Sequence, residues 1–158
     1  HHNCVFVGMD EAGTPRHAHK RSTNSYGEAF RINVEGGDPR YTFHHIGGDG
    51  SLYVFEAPID LLSFISLYPK GWQEHNYVAC CGVSIQPVLK MLERIPAPES
   101  VYLCLDNDEA GHKASRRMAE QLSEQSVSSA RLTPRLKDWN DDLKSLAQEQ
   151  APMCLRME

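Results

Sequence analysis

Five carboxylates stand where the chain turns from one element to the next, and their physical reading is an oxygen-rich site for a divalent metal. Glu56 follows the apolar run Leu52-Tyr53-Val54-Phe55, and Asp60 comes one helical turn later. Asp106 and Asp108 flank Asn107 directly after the apolar run Val101–Leu105, with Glu109-Ala110-Gly111 opening the next element. A third acidic group, Lys137-Asp138-Trp139-Asn140-Asp141-Asp142, lies nearer the C-terminus. Mg²⁺ takes hard oxygen ligands, keeps several waters, and is held by one or two carboxylates together with substrate phosphates. Carboxylates that converge without a cation repel one another and hold their protons more tightly. Asp106 and Asp108, an i, i+2 pair at a strand end, can face one side as ligands. Glu56 stands on the neighbouring edge, placed for proton transfer. Each acid also has a plainer reading: Asp106 and Asp108 as cap and turn residues, Glu56 as a helix-dipole partner, Asp60 as solvated surface. Capping does not require that acids collect at adjacent strand ends.

The elements that must position them alternate regularly after Gly50. Strands are expected at Leu52–Phe55, Tyr77–Cys81, Val101–Leu105 and Ala130–Leu132, and helices over Pro58–Tyr68, Pro87–Ile95, Ala110–Glu124 and Trp139–Gln148. Such alternation implies a parallel sheet of about four strands with right-handed crossovers, flanked by helices. Ligands of such sheets bind outside the carboxyl ends of the strands, where these acids fall. Before residue 50 the pattern differs. Cys4–Val7, a turn at Asp10–Pro15 and a polar run at Arg16–Arg21 read as a hairpin, and Tyr41–Ile46 as a further short strand. The division is therefore a β-rich region, 1–50, with a small antiparallel sheet, and an α/β domain, 51–158.

Composition bounds the class. With 158 residues, 41% hydrophobic and 23% charged, the chain is an ordinary globular one, long enough for a core without cross-links. The net charge of −5 says nothing about partners, because metal-binding carboxylates are neutralised in the working state. No apolar stretch approaches membrane-spanning length, and the N-terminus shows no basic start leading into an apolar run, so no membrane partner is expected. The five cysteines contain no C-x-x-C pair, which argues against a zinc ribbon and for a reduced, intracellular, cytoplasmic protein. His1 and His2 carry no weight.

Other constellations are weaker. His17 and His19, like His44-His45, read as solvent-facing strand residues or backbone contacts to nucleic acid rather than a zinc site. Gly47-Gly48-Asp49-Gly50 reads as a hairpin turn, and Trp139 as core or a helix-edge staple. Neither a P-loop nor a G-x-S-x-G elbow occurs. Lys137, Lys113, Arg116, Gly82 and Ser84 are weak candidates for phosphate or nucleic-acid contact.

Leu52–Glu56 with Asp60, Ala79–Ser84, and Val101–Gly111 resemble, in order, the strand–glutamate motif, the small-residue turn and the D-x-D motif of the Toprim domain. Bacterial primases, topoisomerases, nucleases and recombination-repair proteins share that domain. The Asp-x-Asp-x-Ala-Gly form is most similar to primases and primase-like proteins of mobile elements, in which an uncharacterised β-rich region resembling residues 1–50 precedes the domain. The resemblance implies Glu56 as general acid/base and Asp106 and Asp108 as ligands of Mg²⁺, for which Mn²⁺ can substitute, with Asp60 and Asp138 as additional ligands. It departs at Ala57, where glycine is common, and at Asn140, where primases have a carboxylate. The expected function is Mg²⁺-dependent nucleotidyl or phosphoryl transfer on DNA or RNA with nucleotides, in replication or transfer of a mobile element alongside other domains or replication proteins. The alternatives are a nuclease, or a non-catalytic metal- or nucleic-acid-binding module.

Overall fold

The computed structural model describes residues 2–23, 30–96 and 98–150; His1 and Cys154 lie outside them. The N-terminal region forms an antiparallel three-stranded sheet, in the order β1 (Asn3–Met9), β2 (Pro15–Ser22) and β3 (Arg31–Asn33). The Asp10 carboxylate closes the β1–β2 turn by accepting the N–H groups of Ala12 and Thr14. β3, three exposed residues without alternation, gives no sequence signal for a strand.

The second sheet has five strands. They are β4 (His44–His45), β5 (Ser51–Phe55), β6 (Asn76–Ala79), β7 (Ser100–Leu103) and β8 (Ser129–Arg131), in the spatial order β4-β6-β5-β7-β8. β6, β5, β7 and β8 run parallel, and β4 pairs antiparallel with β6 as an edge. Helices α1 (Pro58–Leu67), α2 (Gln86–Arg94), α3 (Glu109–Glu124) and α4 (Trp139–Gln150) flank it. This is the expected α/β architecture, with an antiparallel strand added at one edge.

The period of two along each central strand divides the core between the two faces. Leu52, Val54, Val101 and Leu103 pack with Val88 and Met91 of α2 and with Ala114, Met118 and Leu122 of α3. Phe55, Tyr77 and Cys104 pack on the other face with Leu61 and Phe64 of α1 and Trp139 of α4. Trp139 is core: it is buried, meets Phe64 edge-on with ring centroids 4.9 Å apart, and donates its indole N–H to the Cys104 carbonyl at 2.8 Å. No helix among the described residues is long and apolar enough to cross a membrane.

Two local expectations are corrected. Gly47–Gly50 is not a hairpin turn, since β4 and β5 lie on opposite sides of β6. The loop crosses the start of β6 instead, where the N–H groups of Gly48 and Asp49 donate to the Glu74 carbonyl and a Cβ at Gly47 would overlap that backbone. His17 and His19 are not solvent-facing: they are 5% and 6% exposed, on the β2 face that packs inward. Burial lowers the proton affinity of His17, and its Nδ1 has no hydrogen-bond partner among the described residues.

Candidate metal and phosphoryl-transfer site

The carboxyl ends of β5 and β7 bring Glu56 and Asp106 to the same edge of the sheet. The ladder continues past both strands: Cys80 N–H donates to Phe55 O and Cys104 N–H to Val54 O, each at 2.8 Å. Glu56 is then fixed through its main chain, its carbonyl accepting the Gly82 N–H at 3.1 Å. Gly82 belongs to a turn with Cys81 at φ 53° and Gly82 at φ 145°. Cys81 is thus a side-chain-bearing residue held in the left-handed region.

Asp108 occupies the N-cap of α3, one carboxylate oxygen accepting the Gly111 N–H at 2.8 Å. Its capping role and its candidacy as a ligand are compatible, because the cap engages a single oxygen. Gly111 is required by a close approach, as a Cβ there would overlap the Asp106 carbonyl oxygen. Asn107, between the two aspartates, faces another way. Its N–H donates to Lys137 O at 2.7 Å and its side-chain amide to Pro134 O at 3.2 Å, tying the D-x-D turn to the loop that carries Asp138. Asp138 caps α4, accepting the Asp141 N–H at 2.8 Å. Two helix N-termini therefore point their positive dipole ends toward the acidic edge.

Asp60 lies in the first turn of α1 and is 3% exposed. It accepts the Asn140 N–H at 3.3 Å. Burial, reinforced by Asp138 and Asp106, pushes its proton affinity up to about 7. Glu56 also reaches about 7, through burial and then the charges of Asp106 and Asp108, with Arg31 and Lys137 opposing. Asp106 moves in the same direction, through burial and then Asp138 and Asp108. Its Oδ1 is buried without a hydrogen-bond partner among the described residues. Folding thus draws all five acids into one electrostatic neighbourhood with too little positive charge to satisfy it. No three His, Cys, Asp or Glu side chains among the described residues are disposed to enclose an ion by themselves.

A residue without a functional reading in the sequence supports this edge from beneath. Arg131, at the end of β8, donates to the carbonyls of Asp106 at 2.9 Å, Leu105 at 3.4 Å and Gly111 at 3.2 Å, and to the Ser115 hydroxyl. An arginine in a short strand has no motif to mark it. Of the weak phosphate candidates, Gly82 lines the cleft beside Glu56, and exposed Lys137 biases both Glu56 and Asp106. Ser84 lies in the turn before α2, its hydroxyl accepting the Gln86 N–H at 3.3 Å. Lys113 is exposed on α3, and Arg116 lines a separate hollow with Ser115 and Ala119.

Residues 53–143, more than half of the chain, match the family described as Toprim-like. The chain belongs to the Toprim-like family. Residues 1–49 match a second family, described as a protein of unknown function (DUF3991). An uncharacterized protein of Bacillus anthracis is 30% identical over 146 residues, covering 83% of this chain. The Toprim-like chain spans 38% of that relative's length. Its fold is similar to the primase fragment of the bacteriophage T7 primase-helicase protein, with a TM-score of 0.66 and 19% identity over 92% of this chain and 59% of that one. It is similar also to the Aquifex aeolicus primase, with a TM-score of 0.66 and 20% identity over 93% of this chain and 38% of that one. These likenesses show the fold, over more than nine-tenths of the chain.

Proposed function

We propose that this chain is the nucleic-acid-acting, primase-like part of a larger protein, transferring nucleotidyl or phosphoryl groups with Mg²⁺ or Mn²⁺. The observation that carries the reading is the gathering of Glu56, Asp60 and Asp106 at one edge, each with raised proton affinity, and the unpartnered Asp106 Oδ1 among them. Such a donor set of hard oxygens, short of positive charge, fits a divalent cation that takes few protein ligands and completes its shell with water and phosphate oxygens.

Asp106 and Asp108 are the residues that would hold the ion, with Asp60 and Asp138 behind them. When bound, the ion would neutralise phosphate charge and polarise a phosphoryl oxygen. Glu56 supplies the proton step: burial holds its carboxyl above the ordinary range, and in its ionised form it takes the proton of a 3′-hydroxyl whose oxygen bonds to the α-phosphorus of a nucleotide as pyrophosphate leaves. Lys137 adds a cation on the side of the cluster facing the loop after β8. The primase fold supports nucleic acid as the substrate class, as does a similar T7 primase domain solved on an RNA/DNA hybrid. The relative from Bacillus anthracis is uncharacterized, so the place in mobile-element replication rests on the motif resemblance.

The test is incubation with Mg²⁺ or Mn²⁺, a single-stranded template and labelled nucleotides. Extension that disappears in Glu56→Gln supports primer synthesis. Shortening of the template that disappears in the same variant assigns a nuclease. Turnover unaffected by Glu56→Gln contradicts the site, and tight binding without turnover leaves a passive module.

A further inference from the structure

The N-terminal sheet does not stand apart from the acidic edge. Arg31 and Asn33 of β3 and His19 of β2 line a cleft of about 160 Å³ whose other wall is Glu56, Cys81 and Gly82. The wall is anchored by a specific chain of hydrogen bonds. His19 Nδ1 donates to Asn33 Oδ1 at 2.7 Å, and Asn33 Nδ2 donates to the Cys81 carbonyl at 3.2 Å. That carbonyl belongs to the left-handed residue whose neighbour, Gly82, donates to the Glu56 main chain. The N-terminal sheet thus grips the turn that fixes Glu56. Farther along the interface, Glu11 in the β1–β2 turn pairs with Lys90 at 3.1 Å and Arg94 at 3.5 Å, both on α2. Phe6 meets Phe43 with centroids 5.4 Å apart.

Arg31 is the exposed cation of this wall and forms no ion pair with a described residue. Arg31 stands two residues from Asn33 on the same face of β3 and lines the cleft with it, close enough that its charge opposes the rise in proton affinity of both Glu56 and Asp106. Arg16 and Arg40, which line a different hollow, are neutralised by Asp10 and Asp38, each at 2.7 Å, whereas Arg21, the register partner of Arg31 on β2, also forms no ion pair with a described residue. A guanidinium without a carboxylate partner, facing an acidic cluster across a cleft, suits a phosphate that reaches the cluster from the other side.

We propose that the N-terminal sheet is one wall of the phosphoryl-transfer cleft, in which Arg31 binds a phosphate of the nucleic acid or nucleotide opposite Glu56 and the His19–Asn33–Cys81 chain docks the sheet in place. The inference rests on the function proposed above and gives the N-terminal region a role in substrate binding.

The test measures binding without turnover. Fluorescence anisotropy with a labelled single-stranded oligonucleotide, and competition by a nucleoside triphosphate with Mg²⁺, are compared for the wild type, Arg31→Ala, Arg31→Lys and, as a control of equal charge change, Arg40→Ala. The oligonucleotide arm and the nucleotide arm identify which phosphate is held. One lost charge-assisted contact predicts about tenfold weaker binding in at least one arm for Arg31→Ala. For the oligonucleotide, the salt dependence of log affinity flattens by about 0.7. Arg31→Lys retains part of the affinity, and Arg40→Ala retains all of it. Wild-type binding that Arg31→Ala leaves unchanged in both arms overturns this inference alone. A wild type that binds neither probe overturns the functional reading with it.

Discussion

The main-chain N–H of Asn140 donates to the Asp60 carboxylate at 3.3 Å, joining the first turns of α1 and α4 across the acidic edge. The side chain of Asn140 is occupied as well, its amide oxygen accepting from the Ser63 hydroxyl at 3.5 Å. Where primases place a carboxylate, this chain has a residue that holds one. Asp60 is consequently buried in a defined position, and its charge must be met by a proton or by a cation.

That constraint fixes the pH dependence of stability. Glu56 and Asp60 titrate at about 7 in the folded chain, above their ordinary 4.5 and 3.8. Both hold a proton more tightly folded than unfolded, so this contribution is complete below the unfolded values and is lost as pH rises through about 7. Without metal, the thermal midpoint should fall by at least ~3 °C between about pH 5 and pH 8, since 1 kcal/mol shifts a domain of this size by about 2–4 °C. Mg²⁺ should restore much of the loss at the higher pH. Asp60→Asn, which keeps an acceptor for Asn140, should flatten the profile. Calorimetry across that range decides; a midpoint that rises with pH in metal-free buffer contradicts the clustering.

Asp108→Asn separates cap from ligand. Asparagine caps a helix about as well as aspartate, so stability should change by no more than about 0.5 kcal/mol. Metal affinity should weaken at least about tenfold through loss of a charged ligand. Asp49→Asn, a substitution away from the edge, should leave metal affinity unchanged. Isothermal titration with Mg²⁺ paired with chemical denaturation separates the two quantities.

Gly111→Ala tests the packing of α3 against the D-x-D turn. Alanine is favoured over glycine in a helix by about 1 kcal/mol. Its Cβ would nonetheless overlap the Asp106 carbonyl, and overpacking costs about 1–3 kcal/mol or more. The overlap should win: the variant should be less stable, with Asp106 displaced and metal affinity reduced. A stabilised variant with unchanged metal binding would show that the approach is looser than described.

Removing Arg131 should take from the Asp106 carbonyl its side-chain donor, while the Gly111 carbonyl keeps its place in the α3 ladder. Arg131→Met should destabilise by about 1–3 kcal/mol, read by denaturant midpoint, as the buried Asp106 acceptor loses its partner. Arg131→Lys should recover little, because one ammonium cannot span the carbonyls that the planar fork reaches.

The parallel sheet and the acidic motifs were legible because apolar runs, helical periodicity and turn chemistry report directly on a strand–helix alternation. Glu56, Asp106 and Asp108 stand out because strand ends are visible as changes in residue type. Arg131 and Asn107 act through main-chain carbonyls of segments distant in sequence, which no local pattern reveals. Arg31 was hidden for a related reason: β3 is too short for alternation, and its cleft exists only once two sheets meet. The burial of His17 and His19 likewise arises from that meeting, in a strand whose polar residues look solvent-facing in isolation.

The most direct measurement is a Mn²⁺ titration followed by electron paramagnetic resonance on the wild type, Asp106→Asn and Glu56→Gln. A saturable site in the wild type, lost in Asp106→Asn and kept in Glu56→Gln, is the predicted result, since Asp106 is assigned to the ion and Glu56 to the proton. A wild type without a saturable site, or one that Asp106→Asn leaves intact, contradicts the account.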